Sequence, residues 1–269
     1  MNTMQGFVLV AKPAGISSTQ CVSRVKRLVG RTVKVGHAGT LDTFATGLMI
    51  IGISRSATRL MDTFLTLDKH YRATGKLGEL TDTFDPTGVV LKLEPSLRLS
   101  GSSDSASYGG QATLITHEHI RNALASFGAT YEQIPPIFSA LKYQGERIST
   151  LARKGLSMEE LAAVAVDKKR TVQLYNISLY THNAPFFTID AHVSHGTYIR
   201  SLVHDIGVRL GSCATTYVLE RMQIGPFKLA HAVTLSDLIA GGSVLPHLIS
   251  VAEMEELVRR YKSSLSTTC

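Results

Sequence analysis

The feature that most constrains this chain is that segments of strand period and segments of helix period alternate along it without a regular strand-helix-strand repeat. Residues 171–180 and 186–194 alternate apolar and polar positions, and Asn183-Ala184-Pro185 supplies a turn between them. Further extended segments are expected at 6–10, 47–53, 69–77, 89–93, near 139–143 and at 215–224. Helical periodicity marks a segment capped at Ser18-Thr19 with the apolar stripe Cys21, Val22, Val25, Leu28 and Val29, and further segments at 57–67, 117–127, 148–154, 198–210 and 251–262. Residues 32–42 read as a loop. A doubly wound parallel sheet demands strict alternation, so this pattern predicts an α+β chain with a mixed, largely antiparallel sheet flanked by helices and loops.

With 269 residues the chain can form one large domain or two small ones around a substantial core. Residues 95–111 change character, with Ser, Gly and Asp dominant, as in a mobile surface insertion. The cysteines Cys21, Cys213 and Cys269 are odd in number and scattered, which argues against a disulfide framework or zinc ribbon and for a reducing cytoplasm. The apolar run 7–10 stops at Lys12-Pro13 without a basic flank or cleavage site, so it reads as a strand rather than a signal peptide. No stretch approaches the roughly 18 apolar residues of a bilayer span, and a soluble protein is expected. The close histidine pairs, His117 with His119 and His192 with His195, do not set both rings on one face, and no metal site is expected.

The net charge of +7 is clustered. Arg24, Lys26, Arg27, Arg31 and Lys34 fall in one stretch without an acid, and Lys142, Arg147, Arg153, Lys154 and Lys168-Lys169-Arg170 populate a second region. Phosphate backbones are the natural partner.

Residues 36–47, Gly-His-Ala-Gly-Thr-Leu-Asp-Thr-Phe-Ala-Thr-Gly, carry the densest chemical signal. Three glycines in twelve residues allow tight turns around His37 and Asp42 and a close approach of a polynucleotide. The stretch is neither a P-loop nor a dinucleotide fingerprint. A lone loop aspartate is usually a turn former or cap, so two further stretches matter. In Asp68-Lys69-His70-Tyr71-Arg72, strand alternation sets Lys69 and Tyr71 on one face, and a tyrosine beside cations suits base stacking. In His195-Gly196-Thr197-Tyr198-Ile199-Arg200, a glycine turn leads into a helix that presents Tyr198 and Arg200, and arginine can grip a carboxylate in two places. Spacing alone leaves a hydrolase triad open, but no Gly-x-Ser-x-Gly elbow occurs.

Taken in order, these stretches resemble the TruB family of tRNA pseudouridine synthases, of bacterial type, which modify the T-loop uridine at conventional position 55. The resemblance runs over about residues 6–228. It includes Lys12-Pro13-Ala14-Gly15-Ile16-Ser17-Ser18, the 36–47 stretch, Lys69-His70-Tyr71, Thr81-Asp82-Thr83, Gln133-Ile134-Pro135-Pro136, Ser139-Ala140-Leu141-Lys142, 196–200, and Leu219 through Phe227. It implies a pseudouridine synthase-like fold, with a catalytic domain at 1–230 and an RNA-clamping segment at 131–155. Residues 231–269 would be a short helical tail, with the full C-terminal RNA-binding domain of many relatives absent. The resemblance further implies that Asp42 is the catalytic aspartate, Tyr71 stacks on the extruded uracil and His37 contacts the T loop in the space the base vacates. Tyr198 and Leu219 would line the base pocket, Arg200 would pair with Asp42, and Lys12 and Pro13 would support the site. The expected partner is the tRNA T stem-loop, bound by a monomer with no cofactor and no obligate protein partner. Thr43 stands where the family has proline, and His195 where lysine is common.

These residue types suit the chemistry. The reaction breaks an N-glycosidic bond, turns the uracil and joins C5 to the same ribose carbon, so no atom or electron comes from outside. An aspartate with a reference pKa of about 3.9 is ionised at neutral pH and can act as nucleophile or weak base. The alternatives are a catalytically silent RNA-binding protein, a guide-RNA-dependent synthase and, more distantly, a hydrolase using Asp42 and His37.

Overall fold

The computed structural model describes residues 4–93, 115–139, 142–143, 146–147 and 155–266. The insertion expected at 95–111 lies outside the described residues, as does much of the 131–155 clamp, including the helix expected at 148–154. In chain order the strands are β1 (Gly6–Lys12), β2 (Val35–His37), β3 (Thr46–Ile53), β4 (Lys69–Leu77), β5 (Glu79–Thr81), β6 (Val90–Leu93), β7 (Thr130–Gln133), β8 (Lys142–Tyr143), β9 (Glu146–Arg147), β10 (Arg170–Asn183), β11 (Phe186–Val193), β12 (Ala214–Ile224), β13 (Phe227–Lys228) and β14 (Val233–Thr234). The helices are α1 (Ser18–Val29), α2 (Arg55–Thr58), α3 (Met61–Leu65), α4 (His117–Ala125), α5 (Met158–Asp167), α6 (Ile199–Arg209), α7 (Leu235–Ala240) and α8 (Val251–Ser266). Two compact units result, one from Met1–Tyr71 with Glu220–Cys269 and one from Arg72–Leu219.

In the first unit the strand order is β14-β1-β3-β12, with β2 also on β3 and β13 on β12. The β1–β3, β2–β3 and β12–β13 pairs are antiparallel, whereas β1–β14 and β3–β12 are parallel. β1 and β3 are apolar at nearly every position, as strands covered on both faces must be. Alternation sends Phe7, Leu9, Leu48 and Ile50 to one side, against Phe64, Leu67, Met254 and Val258. Val8, Val10, Met49, Ile51 and Ile53 go to the other side, against Cys21, Val25, Val29, Leu235 and Leu238. Thus α1 and α7 cover one face and α3 and α8 the other. Residues 231–266, expected as a tail, supply β14, α7 and α8 to this unit.

Three sequence expectations shift here. The cap of α1 is Ser17, one residue before the expected Ser18-Thr19, because Gln20 completes a reciprocal capping box with it: Gln20 N donates to Ser17 Oγ (3.1 Å) and Ser17 N donates to Gln20 Oε1 (2.7 Å). The helix expected at 57–67 is two short helices, since Leu60 N bonds back three residues to Ala57 O (3.1 Å) and leaves the α-helical course. Residues 35–37, expected within a loop, form β2, registered Val35↔Ile53, Gly36↔Gly52 and His37↔Ile51.

In the second unit the order is β12-β4-β11-β10-β7. The antiparallel β10–β11 hairpin turns through Ala184 and Pro185, while Asn183, expected in the turn, pairs with Phe186 at the end of β10. Helix α6 buries Leu202, Val203 and Ile206. Its Val203 Cγ1 lies 2.7 Å from where a Cβ on Gly75 would sit, so the helix presses onto β4 at a residue without a side chain. The expected fold class, mixed and largely antiparallel α+β, is the one observed.

Candidate active site

The 36–47 stretch is held as a clasp between β2 and β3. Ala38 N donates to Ile50 O (3.1 Å), Ala45 N to Asp42 O (3.2 Å), and Gly15 N to Thr43 O (2.8 Å). Ser18, freed from capping by the one-residue shift of the helix start, turns inward. Its hydroxyl accepts from Leu41 N (2.8 Å) and donates to Leu41 O (2.9 Å), fixing the residue before Asp42 on both backbone edges. Asp42 itself remains half-buried rather than enclosed.

Lys12 and Pro13 are the residues expected to support the site. The Lys12 side chain is 1% exposed, and its ammonium donates to Pro13 O (2.9 Å), Ile16 O (2.9 Å) and Thr43 O (3.5 Å). Burial lowers its pKa to about 8, against the opposing charge of Asp42 and with the help of Arg221. His37 is half-buried on β2. Its Nδ1 is buried without a hydrogen-bond partner. Desolvation, aided by Arg221 and opposed by the Gly39 backbone, pushes its pKa below the usual imidazole value, so the ring is neutral at pH 7.

Sequence reasoning missed Arg221, two residues beyond the expected Leu219. It is 1% exposed, and donates from Nε to Leu48 O (2.8 Å), from Nη2 to Gly39 O (3.2 Å) and from Nη1 to Thr40 O (3.4 Å). Its backbone pairs with Gly47 so closely that a Cβ there would lie 2.5 Å from both Arg221 N and Arg221 O. Gly47, at φ 115°, is therefore required by the neighbouring strand as well as by its own turn. Burial on alternate strand positions, shared by Leu219 and Arg221, is the signal that could have found it.

Tyr71 is half-buried on β4. Lys69, expected on the same strand face, buries its ammonium on Leu65 O (2.6 Å) and Leu67 O (2.5 Å), and desolvation lowers its pKa to about 8.

In the second unit, Tyr198 caps α6 and Arg200 sits in its first turn. The Gln133 side chain brackets the Tyr198 peptide: Tyr198 N donates to Oε1 (2.7 Å) and Nε2 donates to Tyr198 O (3.0 Å). Arg200 is buried, and donates to Thr83 O (2.6 Å), Phe138 O (3.0 Å) and Asp85 Oδ2 (3.1 Å). Asp85 is a second carboxylate that sequence reading passed over as part of a turn. Leu219 is buried in the middle of β12, and the Arg170 guanidinium lies 5.2 Å from the centre of the Tyr198 ring.

Comparison with known proteins adds a family to this geometry. Residues 26–199 match the model of the TruB family pseudouridylate synthase N-terminal domain, and residues 200–258 match that of the tRNA pseudouridylate synthase B C-terminal domain. The tRNA pseudouridine synthase B of Clostridium tetani is 39% identical over 235 residues, covering 87% of this chain and 73% of that protein. That of Bordetella avium is 37% identical, covering 93% of each. The human pseudouridylate synthase TRUB1 is 35% identical, covering 97% of this chain and 73% of that protein. Among solved structures, a Cbf5-Nop10-Gar1 complex contains a chain that matches with TM-score 0.62 at 25% identity, covering 89% of this chain and 55% of that one.

Proposed function

The chain belongs to the TruB family of tRNA pseudouridine synthases, and from that premise we propose that it isomerises uridine to pseudouridine in the T loop of tRNA, at conventional position 55, with Asp42 as catalytic carboxylate. The observation that carries the role of Asp42 is the fixing of its loop. Leu41, Thr43, Thr40 and Gly39 are tied through their backbone groups to Ser18, Lys12, Gly15 and Arg221, and Asp42 stands half-buried on this frame. Preorganisation of one charged group on a rigid loop is what an isomerisation without a cofactor requires.

In this reading the target uridine leaves its stack, at a cost of a few kcal/mol, and stacks on Tyr71. His37 contacts the T loop in the vacated space, where a neutral ring avoids burying a second cation. Tyr198 and Leu219 are assigned to contact with the base, and Arg200, ion-paired with Asp85, is assigned a supporting role. The bond from ribose C1′ to N1 breaks and the bond from C1′ to C5 forms; the proton on C5 departs and N1 ends protonated. Among the described residues no helix is long and apolar enough to cross a membrane. We assign the protein to the cytoplasm, acting on tRNA alone and as a monomer.

The test is tritium release from C5-labelled uridine in a T stem-loop RNA, with purified wild type and Asp42→Asn at matched salt. Release by wild type alone, mapped to the T-loop uridine, is expected. Wild type that binds the RNA but releases nothing until a second component is added would sink stand-alone catalysis.

A further inference from the structure

We infer that Arg221 is a positioning residue for the isomerisation: its guanidinium closes the Asp42 loop by holding the limb that enters it and the limb that leaves it. This rests on the reading of Asp42 as the catalytic carboxylate. Thr40 precedes Asp42 by two residues and Leu48 follows it by six. The Arg221 fork reaches Gly39 O and Thr40 O on the first limb and Leu48 O on the second. Among the described residues these three carbonyls are its hydrogen-bond acceptors, and no carboxylate pairs with it. A cation buried to 1% exposure and held by carbonyls alone is costly, and an apolar side chain would serve packing better. What an apolar side chain cannot do is span two limbs. Lysine could not do it either, because its ammonium is a point donor, whereas the guanidinium is a planar fork with donors on separate edges.

The backbone of Arg221 adds the second half of the device. Its pairing with Gly47 places the strand so near the exit limb that no side chain fits between them. The exit limb is thus fixed by main chain and the entry limb by the guanidinium. A carboxylate between two such anchors keeps its position when the flipped base arrives, and a displacement of about 1 Å at a reacting group can cost about 10²-fold in rate.

The experiment uses the full chain carrying Arg221→Lys or Arg221→Met, with a melting curve for each, the dissociation constant for T stem-loop RNA, and the single-turnover rate at saturating RNA. Positioning predicts a rate about 10²-fold lower in both, with affinity within about threefold of wild type. An unchanged rate overturns the inference, and so does a proportional fall in rate and affinity, which a merely structural residue would give. A measurement on wild type covers variants that do not fold: the Arg221 Nε–H proton should exchange slowly by NMR, and exchange at the rate of a free guanidinium overturns the clamp. If wild type makes no pseudouridine, the proposed function fails, while the exchange measurement still decides whether the loop is clamped.

Discussion

Replacing Asp85 with alanine tests how the second unit holds its buried arginine. The Arg200 and Asp85 side chains are 5% and 7% exposed and 3.1 Å apart. The other carboxylate oxygen of Asp85 accepts from Thr83 Oγ1 (2.9 Å), Thr87 N (2.9 Å) and Thr87 Oγ1 (2.5 Å). Asp85→Ala removes all of these and leaves the buried guanidinium without this carboxylate, with Thr83 O and Phe138 O among its remaining acceptors. Breaking one side of a buried ion pair costs about 3–5 kcal/mol. Asp85→Asn keeps an acceptor oxygen and loses the charge, so about 1.5–3 kcal/mol is expected. The double variant Asp85→Ala/Arg200→Met removes both members of the pair, and its cost should fall below the sum of the single costs by about 1–3 kcal/mol. Urea unfolding at pH 7 measures five proteins: wild type, Asp85→Ala, Asp85→Asn, Arg200→Met and the double variant. An Asp85→Ala protein within about 1 kcal/mol of wild type, or strictly additive single costs, would refute the claim that the pair is a buried, coupled unit.

Gly47→Ala should destabilise by about 2–4 kcal/mol, because the new methyl meets backbone atoms of Arg221 at 2.5 Å in a left-handed conformation where no flexible group can yield; an unchanged melting temperature would count against it. Lys12 gives a pH signature. Its pKa is about 8 folded against 10.5 for the free side chain, so between these values the unfolded chain binds more protons and the residue's contribution to stability rises with pH. The urea midpoint of wild type relative to Lys12→Met should therefore climb as pH goes from about 7.5 to about 10, and a flat difference would show that Lys12 is not desolvated.

What the sequence disclosed and what it concealed divide along a physical line. The span of β4, residues 69–77, and the hairpin of β10 and β11 were legible because period-two alternation is a local property. The 36–47 loop announced itself through its glycines. The start of α1 was misplaced by one residue because Ser17 and Ser18 are equally good caps until Gln20 selects between them. β2 stayed hidden because Gly36 and His37 carry no strand signature, and only pairing with β3 makes them extended. Arg221 and Asp85 were missed for the same reason as each other. A cation in a strand and an acid in a turn both look solvated until their partners are known, and those partners lie 182 residues away for Gly39 and 115 for Arg200.

The first unit's construction from both ends of the chain has a consequence for its birth on the ribosome. Gly39 and Thr40 are translated 182 and 181 residues ahead of the arginine that binds their carbonyls, an interval of roughly 10–40 s at ordinary elongation rates. Throughout that time β3 lacks the strand that β12 will supply beside it, so the nascent loop cannot lock. A message broken or a ribosome stalled before codon 221 therefore yields a chain that carries Asp42, with the Ser18 and Lys12 ties of its loop, but without the arginine that closes it. Closure of the loop is withheld until the ribosome has passed codon 221, so the arginine acts as a late checkpoint on synthesis written into the fold.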